Sequence, residues 1–209
     1  DNMTHHQFTY VFDGVTWALK TGLTQSPPAR AYHQMVYDSH RDVAVLFGGF
    51  TNMDRHLDDT WEWDGEQWLE CTPDFHPPAI SWHSMAYDQG RQKTVLHGGV
   101  IQTVWDPPYY FDYEYNHDVW EWDGTNWVKI VRAFNPGDTS QNRMVFDPHR
   151  RRCVTITNYG TKTWEWDGAD WHLMEPLEND PAATGGQSRY GLVYDAFRSC
   201  TIMQCSSIW

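Results

Sequence analysis

The stretch Thr60-Trp61-Glu62-Trp63-Asp64-Gly65-Glu66-Gln67-Trp68 decides how this chain is read. Aromatic residues alternate with others, which is the period of a β-strand, where successive side chains point to opposite faces. Asp-Gly then forms a tight turn, because glycine takes positive φ without a steric penalty. Trp68 opens the returning strand. The same hairpin recurs as Val119-Trp120-Glu121-Trp122-Asp123-Gly124-Thr125-Asn126-Trp127 and as Thr163-Trp164-Glu165-Trp166-Asp167-Gly168-Ala169-Asp170-Trp171. A degenerate copy reads Thr9-Tyr10-Val11-Phe12-Asp13-Gly14-Val15-Thr16-Trp17. Repetition of this kind assigns the tryptophans to the scaffold rather than to chemistry.

A second motif alternates with the first. It reads Met35-Val36-Tyr37-Asp38-Ser39-His40-Arg41, then Met85-Ala86-Tyr87-Asp88-Gln89-Gly90-Arg91, then Met144-Val145-Phe146-Asp147-Pro148-His149-Arg150, then Leu192-Val193-Tyr194-Asp195-Ala196-Phe197-Arg198. Each predicts a buried strand ending in an Asp-x-x-Arg turn. The Asp bonds the backbone ahead of it, and the Arg pairs with an Asp or caps carbonyls. An apolar strand follows each copy, over 43–47, 94–97, 153–156 and 201–204. The repeating unit is therefore four strands, and an antiparallel four-stranded repeat of this size points to propeller blades. The chain opens on one half of a unit and closes on the other half. The expected fold is all-β: a single domain over residues 1–209, a β-propeller of four four-stranded antiparallel blades. Its last blade is closed by strands from both termini, which leaves no loose edge.

These repeats resemble the kelch family. Pro28-Ala29-Arg30, His33, Met35-Val36-Tyr37-Asp38, Arg41, Val45-Leu46-Phe47-Gly48-Gly49 and Asp59-Thr60-Trp61 look like one full kelch repeat, with its double glycine and downstream tryptophan. The second repeat keeps Gly98-Gly99 and Asp118-Val119-Trp120. At the double glycine the third has Thr157-Asn158 and the fourth Cys205-Ser206. The resemblance implies a propeller, usually with more than four blades, and most commonly a protein-binding role. It also implies enzymes, since copper-radical oxidases of the galactose oxidase type belong to the family. Those use Tyr and His ligands, to which His33, His83 and Tyr190 would be a loosely similar set. No neighbouring Cys and Tyr for that cofactor can be read in the sequence.

The 209 residues carry a formal charge of −13 at pH 7. Binding a phosphate backbone needs Lys and Arg to displace counterions. Nucleic acid is therefore not expected as a partner, and an anionic membrane surface is disfavoured for the same reason. No apolar run approaches the roughly 20 residues of a spanning helix. The chain begins at Asp1 without an apolar leader, and the location is left open between secreted and cytoplasmic. Four cysteines do not make a disulfide scaffold. Cys200 and Cys205 on one strand would lie about 16 Å apart, too far to bridge. A soluble monomer is expected.

Connectivity sorts the loops by face. The Asp-x-x-Arg and Asp-Gly turns share one face and are short. The connections at 50–58, 71–81, 100–117, 130–141 and 174–189 lie on the other, upper face and vary, which is where binding is expected. Eight of the eleven histidines fall at or near that face: His5, His6, His33, His56, His76, His83, His97 and His117. Repeat alignment places His5 with His56, His33 with His83, Asn142 and Tyr190, and Asp58 with His117. Imidazoles and carboxylates at one mouth suit a divalent transition metal such as zinc, copper or iron. They equally suit acid–base work near neutral pH. The expected metal set is His33, His83, His97, His56 and His117. The competing reading makes His33 and His83 core histidines between blades, and seats His97 among apolar equivalents, Phe47 and Ile156.

The longest upper connection, Val100 to His117, holds Trp105, Tyr109, Tyr110, Phe111, Tyr113 and Tyr115 among Asp106, Asp112 and Glu114, and Pro107-Pro108 stiffens it. It reads as a lid that stacks a ring or sugar, or as a self-packed loop closing the blade. Trp105, Tyr109, Tyr110, Asp112, Asn142 and Tyr190 are the candidate ligand contacts. The functional expectation is a small-molecule-binding propeller, with a metal-dependent enzyme as its catalytic form. The alternatives are a protein–protein interaction module and a glycan-binding lectin.

Overall fold

The computed structural model describes residues 7–51, 55–106, 110–137, 143–157, 162–174 and 190–205. Among them the ordered elements are all strands, and no helix occurs. β1 (Tyr10–Phe12) and β2 (Trp17–Leu19) form a two-stranded sheet. β3 (Gln34–Asp38), β4 (Val43–Phe50), β5 (His56–Trp63) and β6 (Trp68–Cys71) form the first four-stranded meander. The second comprises β7 (Ser84–Asp88), β8 (Lys93–His97), β11 (Val119–Trp122) and β12 (Trp127–Ile130), and between β8 and β11 lies an arm of β9 (Val100–Asp106) and β10 (Tyr110–Tyr115). The third comprises β13 (Met144–Asp147), β14 (Arg152–Thr157), β15 (Lys162–Trp166) and β16 (Trp171–Met174), and β17 (Tyr190–Asp195) pairs with β18 (Cys200–Cys205). Every pairing is antiparallel, and the first strands adjoin in succession, β3 against β7, β7 against β13 and β13 against β17. Side-by-side meanders joined through their first strands are the arrangement of propeller blades.

The core consists of layers between these sheets. Val45, Phe47, Met85, Leu96, Trp122 and Trp127 fill the layer between the first and second sheets. Ala86, Val95, Val119, Met144, Trp166 and Trp171 fill the next. The tryptophans thus act as the expected scaffold. Each Asp-Gly turn is tied by its Asp: Asp64 Oδ1 accepts from the backbone N–H of Glu66 and Gln67 at 2.8 Å each, and Asp13, Asp123 and Asp167 repeat the bond pattern.

A polar relay runs through the layers. Arg41 donates to Asp38 at 2.7 Å and to Glu62 at 2.9 Å. Arg91 donates to Asp88 at 2.8 Å and Glu121 at 2.5 Å, and Arg150 donates to Asp147 and Glu165. Each of the first two glutamates also reaches the next sheet, since Glu62 accepts from Trp122 Nε1 at 2.8 Å and Glu121 from Trp166 Nε1 at 3.2 Å. Arg41 and Arg91 lie against the next sheet's Asp-Gly turn. A Cβ on Gly124 would stand 2.7 Å from Arg41, and one on Gly168 would stand 2.7 Å from Arg91. These two glycines are therefore needed for space as well as for φ.

Three features differ from expectation. The composite blade from both chain ends does not form among the described residues: β1–β2 and β17–β18 are separate two-stranded sheets. The relay supplies a physical reason, because Val11 stands where the other hairpins carry Glu, and Phe12 where they carry Trp. Neither can accept from an arginine or donate to a carboxylate. Second, β5 starts at His56, inside the loop expected at 50–58, and the β4–β5 ladder has a register shift between Phe47 and Gly49. Third, the segment expected as a loop over 100–117 contains the β9–β10 arm, with Trp105 opposite Phe111 and Val104 opposite Asp112. Among the described residues no helix is long and apolar enough to cross a membrane.

Candidate functional site

The double glycine of β4 shapes the upper end of the first two sheets. Gly48 and Gly49 adopt φ of 60° and 109°. A Cβ on Gly48 would stand 2.5 Å from the Ile80 carbonyl and 3.3 Å from the His83 ring, and a Cβ on Gly49 would stand 2.8 Å from the Ala31 carbonyl. Only glycine lets these backbones meet. The approach is secured by paired backbone bonds, Ala31 with Phe50 at 2.9 and 2.8 Å and Ser81 with Val100 at 3.1 and 2.8 Å. Arg30 fastens the same corner. It forks onto Asp59 with two bonds of 2.6 Å and donates to the Gly48 carbonyl at 2.9 Å, while Asp59 also accepts from Trp61 Nε1 at 2.7 Å.

The two segments held this way each place an aromatic residue in the left-handed region, Tyr32 at φ 58° and Trp82 at φ 57°. Trp82 N donates to the Tyr32 carbonyl at 3.0 Å, and the two rings lie 4.8 Å apart, tilted by 51°. Bulky residues rarely take positive φ. Such strain costs about 1–3 kcal/mol and concentrates at ligand sites. Tyr32 is 46% exposed. The next residues are the expected ligands His33 and His83. His83 is fully buried, edge-on to Phe47 at 5.7 Å, and neither ring nitrogen has a hydrogen-bond partner. Burial pushes its pKa down to about 3; adjacent His33 adds to this, and the nearby Phe47 carbonyl opposes it without good bond geometry. His33 is half-buried, its Nδ1 is unpartnered, and burial followed by the Arg30 charge holds it below the ordinary imidazole range against the pull of Asp59. His33 also lines a cleft of about 200 Å³ together with Thr9, Tyr10, Arg30, Met35 and Trp68.

The other expected ligands go elsewhere. His97 is buried against Trp171, with ring centroids 4.9 Å apart, and its Nδ1 meets the Asp118 carbonyl at 3.1 Å. Burial pushes its pKa to about 3, against the effect of the Asp118 carbonyl, while Arg132 and His117 nearby add to the push. His117 Nδ1 meets the Gly137 carbonyl at 3.2 Å, and His56 sits edge-on to Phe50 at 5.1 Å with both nitrogens unpartnered. Asp58, aligned with His117, lies 4.0 Å from His76. The imidazoles thus fall into His33 with His83, His97 with His117, and His56 beside Phe50. Among the described residues no three His, Cys, Asp or Glu side chains are grouped to hold a metal ion. Trp105, Tyr110 and Asp112 have their backbone in the β9–β10 arm, and Tyr190 lies opposite Cys205 at the start of β17. Tyr109 and Asn142 lie outside the described residues.

Sequence reasoning passed over Tyr32 and Trp82. The available signal was an aromatic immediately before the aligned histidine in two successive repeats, Tyr32-His33 and Trp82-His83. Its meaning depends on φ, which the residue type argues against.

No family model matches the chain, and no curated protein matches it. A solved structure described as "Structure of YjhT" is similar with a TM-score of 0.57 at 14% sequence identity, over 81% of this chain and 52% of that one. At that identity the likeness concerns fold alone. The chain spans about half the length of that structure.

Proposed function

We propose that the chain is a kelch-type β-propeller that binds a small ring-shaped, hydroxylated ligand at the Tyr32–Trp82 step, with His33 as the polar group beside it. The observation that carries this reading is the pair of adjoining aromatics held at positive φ with the Tyr32 ring open to solvent. An aromatic face stacks on the apolar face of a sugar or other ring at little cost in side-chain entropy. His33, the next residue after Tyr32, lines the adjoining cleft and supplies the polar side chain of the site. A net charge of −13 disfavours phosphorylated ligands.

Screening neutral saccharides by calorimetry against the full chain tests this. A bound saccharide should lose at least tenfold in affinity in both Y32A and W82A, which is about 1.4 kcal/mol. Unchanged affinity in both variants would overturn the reading. A metal-dependent enzyme at this mouth needs ligands beyond His33 and His83. Elemental analysis of the purified protein tests that form, with stoichiometric metal lost in H33A or H83A as the supporting result.

A second reading, a protein-interaction module, draws on a different observation. Phe75 and Phe134 occupy aligned positions in successive upper loops and are 73% and 62% exposed. Evenly spaced exposed aromatics suit anchors for a protein partner. Loss of partner capture in an F75S/F134S double variant with saccharide binding retained would favour it.

A further inference from the structure

The β1–β2 hairpin meets the first sheet as the outer strands of the first sheet meet the second. Trp68 Nε1 donates to the Thr9 hydroxyl at 2.9 Å, just as Trp127 Nε1 donates to the Thr60 hydroxyl at 2.9 Å. The repeat also aligns the residues around these two indoles: His33 with His83, Met35 with Met85 and Leu46 with Leu96. Between the first and second sheets this set packs around one side chain, Phe47. The Phe47 ring stands edge-on to His83 at 5.7 Å and to Trp127 at 5.2 Å, and it shares a buried cluster with Met85 and Leu96. The counterparts Thr9, His33, Met35, Leu46 and Trp68 line the open cleft of about 200 Å³. Met35 is 55% exposed there, whereas Met85 is 4% exposed. Leu46 and Trp68 are buried, so the floor of the cleft is already in place.

We propose that this cleft is a binding site for an uncharged phenyl group, held as Phe47 is held one sheet further on. The size fits, because a cavity of roughly 150 Å³ is enough to take up a benzene ring. The walls fit as well. Met35 and Leu46 supply apolar contact, while the His33 imidazole and the Trp68 indole are the counterparts of the rings that Phe47 meets edge to face. Edge-to-face neighbours favour an aromatic ring over an aliphatic ring of the same size. The charges in the lining are already committed. Arg30 forks onto Asp59 and donates to the Gly48 carbonyl, so its guanidinium is not held ready for an anion. His33, kept below the ordinary imidazole range chiefly by burial, is neutral at pH 7. Neither Tyr32 nor Trp82 lines the cleft, so the inference goes beyond the saccharide reading and does not rest on it.

The test uses the full chain and 4-fluorobenzyl alcohol, whose fluorine NMR signal shifts and broadens on binding. Titration should saturate with a Kd of about 1 mM, ordinary for a fragment of this size. M35W places an indole in the cleft from an exposed position and should weaken binding at least tenfold, with a thermal melt to verify its fold. F197S removes an exposed phenyl ring from a lower turn and should bind as the parent chain does. Benzyl alcohol should displace the probe about threefold better than cyclohexylmethanol. N-acetylphenylalanine methylamide separates the two sources of the ring. Displacement stronger than that by benzyl alcohol assigns the ring to a peptide side chain, and equal or weaker displacement assigns it to a free small molecule. Absence of saturable binding, undiminished binding in a folded M35W, or equal displacement by cyclohexylmethanol would overturn the proposal. The cyclohexylmethanol comparison is made on the parent chain and so decides even where M35W does not fold. Because the probe carries no sugar, its failure and the failure of the saccharide reading are seen separately.

Discussion

The layer between the first and second sheets and the layer between the second and third share an aligned pair of tryptophans but differ in what surrounds the second of them. In the first, Trp127 donates to the Thr60 hydroxyl at 2.9 Å and packs its ring on Phe47 at 5.2 Å. In the second, Val119 replaces Thr60 and His97 replaces Phe47, and Trp171 packs on His97 at 4.9 Å. The polar atom has moved from the strand that faces the indole N–H to the ring beneath it. It does not serve the indole there: Trp171 Nε1 and His97 Nε2 are both buried without partners. A shared tryptophan pair therefore conceals unequal polar satisfaction. A buried donor left unmade costs about 1–3 kcal/mol.

The largest test of this contrast truncates the two indoles. W127A and W171A should each cost about 3–5 kcal/mol by cavity formation. W127A should cost about 1 kcal/mol more in urea melts, because it also breaks a made hydrogen bond. Equal losses would remove the distinction between the layers.

Acid provides the next test. His97 in the second layer and His83 beside the first both have folded pKa values pushed from 6.5 to about 3 by burial. The unfolded chain takes up protons that the folded chain refuses. Stability is therefore full above pH 6.5 and declines as pH falls from 6.5 towards 3. The slope per histidine is at most about 1.4 kcal/mol per pH unit. H97F installs the ring of the first layer and should lower the slope between pH 6 and 4.5 by at most about 1.4 kcal/mol per pH unit. An unchanged slope would place the acid response elsewhere. The smallest expected effect is a gain: V119T restores the missing acceptor and should add about 0.5–1.5 kcal/mol, read as a raised melting midpoint. A loss would mean that the hydroxyl does not reach Trp171.

The strand pattern was legible because period two and the Asp-Gly turn are local signals, and the Trp-Glu-Trp hairpins appear where the alternation placed them. The same signal is present in Phe111-Asp112-Tyr113-Glu114-Tyr115, but the aromatic richness of the segment suits a lid or a self-packed loop equally and masks the strand. The histidines were legible as a group near one face, but not in their pairing. His83 is buried because the Gly48 backbone admits Ile80, a contact between distant segments that no local pattern carries. The relay also lay outside sequence reasoning. Glu62 owes its burial to the next sheet's Trp122 and its own sheet's Arg41, contacts that no local pattern carries.

Because Glu62 and Glu121 are each shared backwards with their own sheet's arginine and forwards with the following indole, the array has a built-in direction. Amide exchange should be slowest in the middle of the molecule, around β8 and β11, where both neighbours are in place. Opening should fray inward from β17–β18, releasing one indole latch at a time.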